Sequence, residues 1–287
     1  MVFESLLISR KYHHPHFVFI VSALYASVAV ILASFFPERD ASYYLVFFTA
    51  LMSFHFMYTM ICHEEGYDLR LQTEKKILKK HAHLIMLFIM LYLGFFTSFT
   101  IWNLALSEDT ASRLFSQQKN SIILVNQKIT SGQALTGSDV LPIFFHNTQV
   151  LIFSVLFSFL FGAGAIFILS WNASVGGTYI GEFIKTQMLH LSPPAAILLG
   201  LLRYLPHGLL EFGAYFTGAL AGGIISVALI KHDFMSDKFY RILYDTSELL
   251  CLAVLLLISA ALVEVFVTPF LVEQSTIIFL YLEQVLF

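Results

Sequence analysis

The chain has 287 residues, 58% hydrophobic and 12% charged, with mean hydropathy +0.78 and a formal net charge of -3. A soluble domain is nearer half apolar and a quarter charged, so this composition excludes one. The slightly acidic balance offers nothing to a phosphate backbone, and no nucleic-acid partner is expected.

Apolar runs reach the roughly 20 residues that a bilayer-crossing helix needs, and alternating segments of the outer-membrane barrel kind are absent. The expected fold is therefore an all-α integral membrane protein, a polytopic helical bundle with the lipid bilayer as its first partner. In chain order, spans are predicted at about Phe17–Phe36, Tyr43–Cys62, Leu84–Leu106, Thr148–Ser170, Leu209–Ile230 and Leu249–Phe270. The first has no evident cleavage site and reads as an uncleaved anchor. Residues 1–106 form a three-span region, 107–146 a polar outer loop, and 147–287 a core with the last spans. Trp171 to Gly177 reads as a helix break, and Pro193-Pro194 opens another helix. Pro206 is expected to kink or restart that helix. The tail from 271 is apolar with Glu273 and Glu283, and is expected along the membrane surface. Cys62 and Cys251 read as small packing residues, without a disulfide framework.

Lysine and arginine set the orientation. Residues 63–83 carry five, residues 231–245 and 107–146 three each, and Arg10 and Lys11 precede the first span. This favours a multi-pass plasma-membrane protein with a cytoplasmic N-terminus, an inner 63–83 segment and an outer 107–146 loop. Residues 231–245 then lie inside only if something within 172–206 crosses back, so a broken or re-entrant crossing is predicted there. The alternative is a surface hairpin.

The chemistry concentrates in one segment. Pro206-His207-Gly208-Leu209-Leu210-Glu211 sets two ionisable groups four residues apart in an otherwise lipid-compatible run. Burying such groups costs several kcal/mol unless they are paired. At about 100° per residue, His207, Glu211, Ala214, Gly218 and Gly222 share one helical face. Gly218 to Gly222 is a GxxxG match, which suits close approach of another helix and would also allow a homodimer. Asn147, Ser154, Ser158, Gly162, Ala165 and Asn172 form a second narrow stripe. If the two stripes pack, Asn147 or Asn172 comes near His207 and Glu211. Arg203 lies one turn earlier, across Pro206.

Three readings of His207 and Glu211 stand side by side: a structural hydrogen-bonded junction, a site for ligand, ion or partner, and a metal site. Two ligands one turn apart suit zinc, but no third ligand is identifiable and the His-Glu-x-x-His spacing is missing. No cofactor is expected and no catalytic residue is assigned. His13, His14, His16, His63, His81 and His83 read as scattered interfacial histidines, His55 as a packing residue, and the Lys75-Lys76 and Lys79-Lys80 pairs as contacts to anionic lipid heads.

Residues 146–230 resemble the stage II sporulation protein M family, in an archaeal-type branch. The resemblance rests on His146-Asn147-Thr148, Gly162-Ala163-Gly164, Trp171-Asn172-Ala173 and Tyr179-Ile180-Gly181. Its strongest part is Leu205-Pro206-His207-Gly208-Leu209-Leu210-Glu211, followed by Ala214 and Ala221-Gly222-Gly223. It implies a polytopic membrane scaffold that anchors peptidoglycan-degrading partners during engulfment in spore formers, with no established catalysis of its own. His207 and Glu211 carry over as signature residues. The leading expectation is thus a non-enzymatic scaffold organising other membrane or envelope proteins. The alternatives are a transporter or channel using the His207–Glu211 face, and an intramembrane metal-dependent hydrolase.

Overall fold

The computed structural model describes residues 14–68, 77–129, 136–161, 164–231 and 236–286. These residues are helical almost throughout. The helices are α1 (Pro15–Ala33), α2 (Glu38–Asp68), α3 (Ile77–Ala105), α4 (Glu108–Leu114), α5 (Ser116–Ile129), α6 (Val140–Phe161), α7 (Ala165–Gln187), α8 (Pro193–Lys231), α9 (Asp237–Leu262) and α10 (Thr268–Leu286). A 3-10 turn at Gly137–Asp139 leads into α6, and a π-helical turn at Val263–Val267 joins α9 to α10.

Five stretches among the described residues are long and apolar enough to cross a membrane: Pro15–Ala33, His83–Ala105, Gly137–Phe161, Pro193–Ser226 and Phe239–Glu283. They match five of the predicted spans. The sixth, Tyr43–Cys62, lies inside the more polar α2.

Pairwise contacts give the directions. Ser27 and Ser98 hydroxyls meet at 2.9 Å, and a Cβ on Gly94 would lie 2.5 Å from the Phe19 carbonyl oxygen, so α1 and α3 run parallel. Phe88, Tyr92 and Phe96 of α3 meet Phe216, Phe212 and Tyr204 of α8, so these two run antiparallel. A Cβ on Gly177 would lie 2.8 Å from Phe99 Cβ, and one on Gly181 would strike Asn103, which sets α7 parallel to α3. Asn147 reaches Glu211 while Leu151 and Val155 face Gly218 and Gly222, so α6 is parallel to α8. The helices α6, α7, α8 and α9 therefore run alternately along the bundle. The end of α6 and the start of α7 therefore lie at one end with the end of α8 and the start of α9, and α4 and α5 sit toward the other, tied to the start of α2 by Ser42 Oγ donating to the Leu114 carbonyl at 2.9 Å.

Between 172 and 206 the chain runs back along the bundle as α7, antiparallel to α6 and α8. Trp171 to Gly177 is not a break: it lies within continuous helix, and the interruptions fall at Gly164 and at Met188–Ser192. The fourth span is accordingly Val140–Phe161, earlier than Thr148–Ser170, because residues 165–170 already belong to α7. Composition hid this helix. Ser170, Ser174, Gly176, Gly177, Thr178 and Gly181 lower its apolarity, yet all are buried against neighbouring helices. Such small and weakly polar residues are what close helix packing inside a membrane bundle prefers.

Two further expectations are corrected. Of the kink or restart expected at Pro206, the restart does not occur, since α8 runs from Pro193 through Lys231. Proline there removes only one backbone donor, which a packed membrane helix tolerates. The tail does not leave the bundle for its surface: α9, the π turn and α10 follow α8 in the opposite direction. Leu256 lies by Gly213, Thr268 by His207, and the Glu283 carboxylate accepts from the Ser192 amide.

A buried His-Glu-Glu cluster between α6, α8 and the α9–α10 junction

His207 and Glu211 project from the same face of α8, one turn apart, and are 7% and 9% exposed. Tyr204 and Phe212 bracket them; Tyr204 stacks on Phe96 of α3, and Phe212 packs tilted against Tyr92 of the same helix. The pair is therefore level with the middle of the apolar stretch His83–Ala105.

Three helices contribute to the surroundings. From α6, Asn147 Nδ2 donates to Glu211 Oε1 at 2.6 Å. From the first residue of α10, Thr268 Oγ1 hydrogen-bonds His207 Nδ1 at 3.2 Å. From the π turn comes Glu264. One donor atom each from His207, Glu211 and Glu264 lie within 4.8 Å of one another. The π turn adds one residue to a helical repeat, and such bulges recur at functional sites because they re-aim side chains. Its apolar side is anchored by Val265, which packs with Ile143 of α6 and Ala261 of α9.

Among the described residues, no hydrogen-bond donor meets the Glu264 carboxylate, and His207 Nε2 and Glu211 Oε2 have no partner either. The Arg203 guanidinium acts electrostatically on both His207 and Glu264. It is itself held by Tyr179, to whose hydroxyl Nε donates at 3.1 Å, and lies 5.8 Å from the centre of the Phe183 ring.

The other residues singled out from sequence fall into three groups. Gly218 and Gly222 line the contact with α6 and Ala214 is fully buried: a Cβ on Gly222 would collide with the Val155 carbonyl oxygen, and Ser154 and Ser158 are fully buried on α6. The GxxxG face is thus occupied within the chain. Pro206 and Gly208 flank His207, and a Cβ on Gly208 would lie 3.1 Å from the Tyr204 ring and 3.3 Å from that of Phe212. Asn172 is not brought to the cluster, because the break after Phe161 puts it on α7, where its Nδ2 donates to the Ile168 carbonyl at 2.9 Å. Gly162 lies outside the described residues, as does His13, and nothing is described of the His63 and His81 side chains. His14 and His16 stack at 5.5 Å, whereas His55 is exposed rather than packed inside.

Sequence reasoning missed Glu264 and Thr268. The signal was present: Glu264 is the only charged residue between Leu249 and Phe270. An ionisable group inside a predicted span is a site candidate by default.

A second polar cluster lies among α4, α5 and α7. Lys119 Nζ is 3.1 Å from both Glu108 and Glu182, and Lys185 lies 3.6 Å from Glu108. Asn103 Nδ2 donates to Glu182 at 3.2 Å. The hydrogen bond from Lys119, with the charges of Lys119 and Lys185, holds the Glu108 carboxyl below its ordinary value of 4.5.

A helical bundle with five long apolar stretches among the described residues defines a polytopic membrane protein. Residues 16–269 match the sequence model of the stage II sporulation protein M family, and the chain belongs to that family. The match extends well beyond 146–230 and takes in the first three helices. No curated protein and no solved structure matches the chain.

Proposed function

We propose that this protein is a non-enzymatic membrane scaffold, a closed helical platform that organises other membrane or envelope proteins. The observation that carries this reading is the α6–α8 seam. A Cβ on Gly222 would collide with the Val155 backbone, and the space over Gly218 is filled by the Leu151 side chain. A seam closed at the backbone level favours a rigid body over a moving gate. Membership of the stage II sporulation protein M family agrees with it. The α4–α5 region supplies a polar face, with Glu108 68% exposed, on which partners outside the bilayer can dock. We place the protein in the plasma membrane with a cytoplasmic N-terminus, following the distribution of lysine and arginine.

The competing reading is transport, which a polar cluster at mid-span also suits. Reconstitution of the purified chain in sealed vesicles separates the two. A scaffold gives proton and ion fluxes equal to those of empty vesicles. A flux that Glu211→Gln abolishes would overturn the scaffold reading. Photo-crosslinking from Ile123, 52% exposed on α5, should yield a discrete set of envelope proteins in native membranes.

A further inference from the structure

We propose that His207, Glu211 and Glu264 bind one divalent transition-metal ion that staples α8 to the α9–α10 junction. The inference goes beyond the scaffold reading and stands without it. Its first ground is convergence: an imidazole nitrogen and two carboxylate oxygens, from segments over fifty residues apart in sequence, lie within 4.8 Å. Ligands held at about 2.0–2.2 Å from zinc in a tetrahedron sit roughly 3.3 Å apart. Rotations of the three side chains that draw their tips in by about an ångström complete that geometry.

The second ground is the pattern of satisfied and unsatisfied atoms. His207 Nδ1 and Glu211 Oε1 are engaged by Thr268 and Asn147. His207 Nε2, Glu211 Oε2 and the Glu264 carboxylate have no hydrogen-bond partner among the described residues. For His207 and Glu211 this is the arrangement of a metal site, in which an outer partner orients the ligand and leaves its other atom free for the ion. A hydrogen-bonded junction alone would consume those atoms instead.

The third ground is charge. Two carboxyl groups face each other inside a span, and Arg203, tied to Tyr179, stands further off. A dication balances both carboxylates at the point where they meet. A donor set of one nitrogen and two oxygens without thiolate suits zinc, manganese or iron in the divalent state. Three protein ligands leave at least one coordination position for water.

The test uses the full chain, purified in detergent without a polyhistidine tag, stripped with EDTA, loaded with Zn2+ and desalted. Wild type should retain one more ion per chain than Glu264→Gln or Glu211→Gln. Asn147→Ala should weaken zinc binding about tenfold or more through the outer partner. Equal zinc content in wild type and the two Gln variants would overturn the proposal. Where the Gln variants fail to fold, the wild type decides: Zn2+ should raise its Tm above that in Mg2+ or EDTA, and Co2+ should give visible absorption of a low-coordinate site. A wild type that shows neither response would overturn it equally.

Discussion

A single hydrogen bond, Asn147 to Glu211 at 2.6 Å, joins two helices at the level where lipid can solvate neither partner. Removing one side leaves the other buried and unsatisfied, which costs about 1–3 kcal/mol. Asn147→Ala is therefore expected to lower the thermal stability of the purified protein by that amount, read from its unfolding curve. Asn172→Ala, which loses only a bond to its own helix, should change stability by less than about 1 kcal/mol. Glu108 behaves differently because it is exposed. Its carboxyl is held below 4.5 in the folded state, chiefly by the hydrogen bond from Lys119. The stabilisation is thus fully present above pH 4.5 and is lost as pH falls through the lowered value. Hydrogen exchange of α5, corrected for intrinsic rate, should show protection falling over that range. Lys119→Ala should remove the pH dependence. Protection that is flat with pH in the wild type would contradict the assignment.

At the scale of the element, Gly222 is the position where α6 and α8 touch backbone to backbone. Gly222→Val should force them apart and cost about 1–3 kcal/mol, as overpacking does. Gly213, whose added Cβ would meet Leu256 at an ordinary 3.6 Å, should accept alanine with little change. The stripe on α8 was legible in sequence because helical periodicity survives in an unbroken helix. The stripe on α6 was legible only up to Ser158. Beyond Phe161 the chain turns, so Ala165 and Asn172 belong to α7, and a period counted across a turn loses its meaning. The helix α7 itself was hidden because hydropathy measures fitness for lipid, and this helix faces protein on the side bearing Ser170, Ser174, Gly177 and Gly181. Glu264 stood out in sequence as a lone charge in a span, but its convergence with His207 and Glu211 did not. It enters the cluster through a π turn, and no spacing rule in the sequence reports that extra residue.

For the whole molecule, the alternation of α6, α7, α8 and α9 puts the end of α6 and the start of α9 at one end. Lys231, Lys238 and Arg241 therefore share an end of the bundle with the start of α3, the distribution that the positive-inside rule expects of one membrane face, and the direction of α7 is what makes this so. Cysteine labelling from either side of intact cells, at residue 138 and at residue 236, should report opposite faces. Labelling of both from one side would remove α7 as a crossing. The bundle is held at its centre by the cluster on which α6, α8 and the α9–α10 junction converge. The most direct test of that claim is a double-mutant cycle of Asn147→Ala and Glu211→Ala, followed by reversible unfolding in detergent. Linked residues in one buried network couple, and a coupling energy of about 1 kcal/mol is predicted. Single effects that add to within about 0.3 kcal/mol would contradict it.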